Sequence, residues 1–175
     1  AVFANGKGIY AMPLLAATPV LFYRKDLFEN KDIRWQFYHQ YGFELEPPRN
    51  WTEFNYVAEF FNRERNPMSP VEYGTALAGL SPTGIMEEFY VRQWAYRGQF
   101  VDKWGRLRID SAENMRALEN LSMVFQLIDP ACRQYFFDDI SDLLLDGKIA
   151  FAQYFATHSI PYGRRGNKET NFPIG

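Results

Sequence analysis

Residues able to do acid–base chemistry are few in this sequence, and their spacing does not suit catalysis. His39 and His158 are the only histidines, and neither has a serine or cysteine at a spacing typical of nucleophilic catalysis. Glu87-Glu88 and Asp138-Asp139 are adjacent carboxylates. Neighbouring helical residues point about 100° apart, so neither pair can flank one glycosidic bond. We therefore predict no catalytic residue.

Metal, cofactor and disulfide chemistry also lack the residues they need. The single cysteine, Cys132, excludes an internal disulfide and a multi-cysteine zinc site. The sequence contains no His-x-x-x-His pair, calcium-binding loop, dinucleotide fingerprint or P-loop. We accordingly expect neither a cofactor nor a metal site.

Composition and charge are those of an ordinary globular domain. The 175 residues carry 19 basic and 21 acidic side chains, a net charge of −2. Without a basic patch, nucleic acid is not an expected partner. No apolar run reaches the roughly 18 residues of a membrane span, and we expect any export signal to lie upstream of Ala1. The aromatic content of 18% suits either sugar stacking or an aromatic core.

Capping patterns and periodicity predict the main helices. Asn50 with Glu53 forms a capping-box pattern, and the helix that follows has an apolar stripe at Phe54, Val57, Ala58 and Phe61. Further helices are predicted over 33–41, 85–96 and 136–145. Ser111 is expected to cap another helix, whose predicted apolar face consists of Met115, Leu118, Leu121, Phe125 and Ile128.

Short segments rich in β-forming residues predict the strands. In chain order they span 9–13, 19–23, 72–77, 107–109, 149–155 and, in the tail, 171–174. Helices predominate over a small sheet, which is an α/β pattern. We expect the strands near the two ends of the chain to pair, which would place both termini on one side.

A series of short phrases gives the chain a resemblance to a known family. In order, the phrases are Gly8-Ile-Tyr-Ala-Met-Pro13, Leu21-Phe-Tyr-Arg-Lys-Asp-Leu-Phe28, Asn50-Trp-Thr-Glu-Phe54, Tyr73-Gly74, Gly98-Gln-Phe-Val-Asp102, Asp110-Ser-Ala-Glu113 and Asp146-Gly-Lys-Ile-Ala-Phe151. As an ordered set they resemble the central part of extracellular solute-binding proteins of ABC importers, the family related to maltose-binding protein. The second and third phrases are the strongest, and both are scaffold features.

The resemblance implies a fold and a function. The expected fold is α/β, one lobe of a type II periplasmic-binding-protein fold with a small mixed sheet and predominating helices. Residues 1–175 would form a single ligand-binding lobe, with hinge-crossing strands at about 8–23 and 149–175, and the other lobe would lie outside this chain. The implied function is non-catalytic capture of a solute, expected to be a mono- or oligosaccharide, for delivery to a membrane permease. The implied location is extracytoplasmic, either periplasmic or lipid-anchored.

The resemblance also implies which residues face the ligand. They come from the helix before Gly98 and from the segment after Gly147, and are Glu87, Tyr90, Trp94, Tyr154, Phe155, Thr157 and His158. Carboxylates accept hydrogen bonds from sugar hydroxyls, and aromatic rings cover pyranose faces. The chain departs from the family at Ala17, where relatives have a carboxylate, and at Thr157, where they commonly have tryptophan. These departures leave the identity of the sugar open.

Two other interpretations stay open from the sequence. One is a carbohydrate-active hydrolase or accessory domain that uses Glu87 or Glu88 as its acid, which would require a raised pKa in an apolar pocket. The other is a structural or protein-interaction domain with exposed aromatic residues. Turnover distinguishes the enzyme from the binding protein, and saturable sugar binding distinguishes the binding protein from the structural domain.

Overall fold

Helices predominate over short strands in the computed structural model, which describes residues 3–4, 9–11, 14, 18–80, 82–156 and 173–175. The strands are β1 (Phe3–Ala4), β2 (Ile9–Ala11), β3 (Pro19–Tyr23) and β4 (Phe151–Phe155). The helices are α1 (Lys25–Phe28), α2 (Lys31–Tyr41), α3 (Trp51–Phe60), α4 (Thr83–Ala95), α5 (Ala112–Phe125) and α6 (Phe137–Leu145), with a short 3-10 helix at Pro130–Gln134. This is the predicted α/β pattern.

The pair β3–β4 forms the central β-structure. The two strands are antiparallel, with Pro19 opposite Phe155 and Tyr23 opposite Phe151, which confirms the predicted pairing between the two ends of the chain. Residues 173–175 extend this sheet, because the N–H and carbonyl of Tyr23 exchange hydrogen bonds of 3.2 and 2.8 Å with Gly175. The predicted strand 171–174 therefore contributes its last residues here, and 171–172 lie outside the described residues. β1 and β2 form a separate antiparallel pair.

Local capping determines where the long helices begin. The Asn50 side-chain oxygen accepts hydrogen bonds from the N–H groups of Thr52 (3.1 Å) and Glu53 (2.9 Å). The Glu53 carboxylate accepts in return from the N–H of Arg49 at 2.9 Å, one residue before the expected donor. α2 begins at Lys31, two residues before its predicted start, because Asn30 caps it. α5 begins after Ser111, as predicted.

The core lies on both faces of the β3–β4 pair. On one face, Phe151 packs its ring against Phe54 of α3, with centroids 4.9 Å apart. On the other face, a smaller cluster includes Ile140, Ile149 and Tyr154. The predicted stripe of α3 is buried throughout, at Phe54, Val57, Ala58 and Phe61. Many of the aromatic side chains therefore pack in the core and do not lie on the surface.

The apolar face predicted for α5 is wrong in part. Met115 and Leu118 are 45% and 49% exposed. The buried residues of this helix are Asn114, Ala117, Asn120, Leu121 and Val124. The helix is rotated from the predicted orientation because side chains of α4 form hydrogen bonds with Asn114 and Asn120. Polar side chains can be buried when they are hydrogen-bonded, and a hydrophobic pattern does not identify such residues.

Two predicted strands are reduced to single bridges. The segment 72–77 makes one parallel bridge, between Tyr73 and Ile149, and the segment 107–109 makes one between Leu107 and Val101. A Cβ on Gly74 would lie 2.3 Å from the carbonyl oxygen of Ala58. The backbone at Gly74 therefore lies against α3, and its carbonyl accepts hydrogen bonds from the N–H groups of Ala150 and Phe151 at 3.0 and 3.1 Å, at the start of β4.

Candidate functional site

Three of the predicted ligand-facing residues lie along one side of α4. Glu87, Tyr90 and Trp94 are spaced i, i+3 and i+7, which places them on one stripe of the helix. The rings of Tyr90 and Trp94 are stacked, with centroids 6.1 Å apart and 14° between their planes. Trp94 is 68% exposed, so this aromatic pair is open to solvent.

Another side of α4 is fixed by a buried polar network. Arg92 forms an ion pair with Glu88 at 2.9 Å and donates from Nε to the Asn120 side chain at 3.1 Å. Its guanidinium also lies 4.1 Å from the centroid of the Trp51 ring, a cation–π distance. α4 is thus held by α3 and α5 together, and the stripe is carried by a well-anchored helix.

Glu88 is therefore not available as a catalytic acid. Its carboxylate accepts from the N–H of Ala78 at 3.4 Å and from Arg92, and it is buried. Burial raises the pKa of Glu88, while the Arg92 guanidinium acts in the opposite direction. Both oxygens of this carboxylate are engaged, and breaking one partner of such a buried pair is costly, so Glu88 has a structural role. This removes one of the two residues on which the hydrolase interpretation depends.

Glu87 lines a small cavity beside the end of β4. The cavity has a volume of about 20 Å³, and its other lining residues are Pro19, Glu88, Val91, Phe137, Gln153, Tyr154 and Phe155. Burial raises the pKa of Glu87 above its ordinary value of 4.5. Among the described residues, its buried Oε2 has no hydrogen-bond partner. The site therefore offers an acceptor against a mostly apolar wall, which suits a ligand hydroxyl.

Tyr154 and Phe155 are brought beside Glu87 by the end of β4. The Tyr154 ring is buried and stacks on Phe22, with centroids 4.5 Å apart. Phe155 is half-buried and packs edge-on against Phe137 at 5.0 Å. Phe155 thus presents part of its ring at the surface, while Tyr154 shapes the cavity from within the core.

The remaining predicted residues, Thr157 and His158, lie outside the described residues, as does Ala17. The neighbouring backbone indicates where their segment starts. The N–H of Ala156 donates to the carbonyl of Thr18 at 2.8 Å. The chain therefore leaves β4 beside the point where it enters β3, at the end of the sheet that carries the Glu87 cavity.

Sequence reasoning missed two lining residues. Gln153 is the single polar residue of β4 and lines the Glu87 cavity. Arg97 lines a second cavity, of about 430 Å³, at the C-terminal end of α4, together with Tyr90 and Trp94. Arg97 lies beyond the last residue of α4 in a left-handed backbone conformation, so no periodic pattern in the sequence identifies it. A further hollow of about 530 Å³ lies between Trp51 and Gln153.

The described ranges offer little for metal or thiol chemistry. They contain no group of three or more His, Cys, Asp or Glu side chains that could hold a metal ion. Burial raises the pKa of Cys132 to about 11, so its thiol stays protonated near neutral pH. His39 is exposed, and its Nδ1 lies 2.9 Å from the carbonyl oxygen of Trp35. Within these ranges no helix combines the length and apolarity needed to span a bilayer.

Comparison with known sequences finds distant relatives. No protein-family model matches the chain. Relatives from Brucella abortus and Brucella suis, which carry only the general name of a binding protein, are 25% identical over 146 residues. The aligned region is 80% of this chain and 31% of each relative. The chain therefore spans about a third of the curated relatives it matches.

Solved ABC-transporter solute-binding proteins share the fold. The protein of Agrobacterium radiobacter K84 in complex with ribitol aligns over 99% of this chain and 40% of its own, with a TM-score of 0.73 and 19% identity. The protein of Agrobacterium vitis S4 with D-mannitol aligns over 98% and 38%, with a TM-score of 0.70 and 17% identity. A sugar transporter of Arthrobacter chlorophenolicus A6 with laminaribiose aligns over 98% and 39%, with a TM-score of 0.65 and 22% identity. The resemblance found in the sequence is confirmed at the level of fold.

Proposed function

We propose that this chain, which has the fold of part of an ABC-transporter solute-binding protein, is one ligand-binding lobe. It would supply about half of a carbohydrate or polyol site. The observation that carries the proposal is the stripe of Glu87, Tyr90 and Trp94 on α4. It joins a buried hydrogen-bond acceptor to an exposed aromatic surface, which is the combination that a ligand with hydroxyl groups and apolar C–H faces requires.

The proposed mechanism is closure of two lobes around the solute. In this proposal β3 and β4 are the strands that cross toward the other lobe. Their ends at Pro19 and Phe155 line the Glu87 cavity, which would put the site beside the hinge. A ligand that contacts both lobes binds the closed state more tightly and shifts the population toward it. The whole protein would act outside the cytoplasm and deliver its solute to a membrane permease, without catalysing a reaction.

A single lobe is expected to bind weakly. A micromolar site corresponds to about −8 kcal/mol, and half of that free energy corresponds to a millimolar dissociation constant. Glu87 and the aromatic pair can satisfy only one side of a sugar, so the opposite hydroxyls stay in water. Millimolar affinity for this chain therefore agrees with the proposal.

The test is a titration of the ¹⁵N-labelled chain with ribitol, D-mannitol and laminaribiose, following backbone amide shifts together with the proton spectrum of the sugar. We expect saturable shifts around residues 87–94 and 153–156 and an unchanged sugar spectrum. New anomeric signals that grow with time in laminaribiose would instead establish a hydrolase. The absence of saturable shifts for all three ligands would contradict the proposed site.

A matched pair of variants locates the binding. Glu87→Gln keeps the shape of the side chain and removes its charge, so we expect it to weaken binding. Glu29→Gln makes the same change at an exposed glutamate after α1, and we expect it to bind as the parent chain does. Binding should also weaken at acid pH, and earlier than for an ordinary glutamate, because burial raises the pKa of Glu87. Equal weakening in both variants would exclude a specific role for Glu87.

A further inference from the structure

We propose that the second cavity, at the C-terminal end of α4, is a subsite for a sugar residue that carries a carboxylate group. The cavity has a volume of about 430 Å³ and is lined by Tyr90, Gln93, Trp94, Arg97, Gln99 and Phe100. The inference deepens the proposed carbohydrate function and rests on it. It makes the ligand an acidic oligosaccharide that extends along α4 from the Glu87 cavity.

The charge of the cavity indicates an anionic group. Arg97 is the one ionisable cation among its lining residues, and no carboxylate lines it. Among the described residues, the exposed Arg97 guanidinium forms no ion pair and no side-chain hydrogen bond. A guanidinium presents paired N–H donors that match the two oxygens of a carboxylate. The side chain is thus free to bind such a group on a ligand.

The backbone at Arg97 is in the left-handed conformation, which glycine adopts more easily than arginine. Its φ is +62°, and it is the one described non-glycine residue with positive φ. Helices commonly end with glycine in this left-handed conformation, yet here the glycine follows one position later. Gly98 is needed there, since a Cβ would lie 2.2 Å from Oδ1 of Asn114. Residues in strained backbone conformations cluster at ligand-binding sites, so the conformation of Arg97 supports a role in binding.

The aromatic pair supplies the surface for a sugar ring. The ring planes of Tyr90 and Trp94 are nearly parallel, at 14°, and the Tyr90 and Phe100 rings meet edge to face with centroids 5.8 Å apart. Phe100 thereby supports the pair from the side of the cavity. A pyranose lying on Trp94 would place a substituent within reach of Arg97, which lies two residues beyond the end of α4 at Ala95.

The distance to the first cavity defines the length of the ligand. Seven residues separate Glu87 from Trp94, a rise of about 10 Å along the helix. That span exceeds one hexose ring, so a ligand that contacts Glu87 and lies over Trp94 at the same time is a chain of sugar residues. The neutral part would contact Glu87, and the acidic residue would lie over Trp94, away from the Glu87 charge.

The experiment compares D-glucuronate, D-glucose and acetate on the ¹⁵N-labelled chain, following the Trp94 indole N–H and the Gly98 amide. We expect saturable shifts at both positions with glucuronate, and affinity about tenfold weaker for glucose and acetate. If glucose binds as tightly as glucuronate, the cavity does not recognise the carboxylate. If acetate binds as tightly as glucuronate, the cavity does not recognise the sugar ring. Either result overturns the proposal.

Variants separate this inference from the proposed function. Arg97→Gln is expected to reduce glucuronate affinity to the level of glucose, whereas Arg108→Gln, which removes an exposed charge outside the cavity lining, is expected to leave it unchanged. Laminaribiose shifts around Glu87 report the proposed function independently in the same samples. If those shifts appear while Arg97→Gln leaves the preference for glucuronate intact, the proposal of an acidic subsite is wrong and the proposal of a binding lobe is unaffected.

Discussion

Arg92 and Glu88 form an ion pair of 2.9 Å in the interior of the domain, with side chains that are 0% and 4% exposed. Arg92 also donates to the main-chain oxygen of Glu88 at 2.7 Å. Through Asn120 and Trp51 the same guanidinium reaches α5 and α3. One charged pair therefore determines how α4, and the stripe it carries, lies on the rest of the fold.

Removing one partner of this pair is expected to be strongly destabilising. Glu88→Ala leaves the Arg92 charge buried and unpaired, which typically costs about 3–5 kcal/mol. The free energy of unfolding in urea measures the effect. The control is Glu44→Ala, which breaks an exposed pair with Arg34 and is expected to cost less than about 1 kcal/mol. Similar losses in the two variants would contradict the structural role of the buried pair.

Glu87 is expected to make the chain less stable at neutral pH than under mildly acidic conditions. Burial raises its pKa in the folded chain, so the folded state holds this proton more tightly than the unfolded state. The contribution is unfavourable above the folded pKa, diminishes as the pH falls through it, and vanishes below the ordinary value of 4.5.

The variant Glu87→Gln isolates this effect. The amide does not titrate, so we expect the variant to be more stable than the parent near pH 7 and to show less change in stability between pH 7 and pH 4.5. Urea midpoints at both pH values measure this, with Glu29→Gln as the control. A variant that is less stable than the parent at pH 7 would show that the ionised carboxylate is favourable in the fold.

The cap of α3 is expected to contribute about 1 kcal/mol. Asn50→Ala removes the acceptor for the N–H groups of Thr52 and Glu53, a loss that typically costs about 0.5–2 kcal/mol. Asn50→Ser retains a side-chain acceptor without adding a charge beside Glu53 and is expected to stay close to the parent. Thermal unfolding of the three chains tests this, and equal losses for Ala and Ser would exclude capping as the cause.

Positions 97 and 98 are expected to respond in opposite directions. Arg97→Gly relieves the positive φ and is expected to stabilise the chain by about 0.5–1 kcal/mol. Gly98→Ala forces a Cβ against Asn114 and is expected to destabilise it. Urea denaturation distinguishes the two. Destabilisation by Arg97→Gly would show that the arginine side chain stabilises the fold.

Local signals in the sequence were sufficient for much of the fold. Asn50 and Ser111 identified two helix starts, because capping depends on residues within three positions of one another. The buried face of α5 could not be predicted in the same way. Asn114 and Asn120 are buried because they have hydrogen-bond partners on α4. Long-range hydrogen bonds of this kind leave no trace in the periodicity of one segment.

Family resemblance indicated the residues of the candidate site, whose role stays a prediction, but not how they are arranged. Glu87 and Phe155 do share one cavity. The division into two cavities depends on the packing of Phe100 and on the backbone turn at Arg97, neither of which has a sequence signal of its own. From the sequence alone, Arg97 is indistinguishable from an ordinary surface charge, because a positive φ is not expected of arginine.

The burial of the tryptophans gives the protein its own spectroscopic reporters. Trp35, Trp94 and Trp104 are 62%, 68% and 68% exposed, whereas Trp51 is partly buried beneath the Arg92 guanidinium. Blue-shifted emission should therefore come chiefly from Trp51 and disappear when the buried ion pair is lost. Red-shifted emission should include Trp94 and respond to a sugar placed on its ring. Fluorescence at two wavelengths can thus follow folding and ligand binding separately in the unlabelled chain.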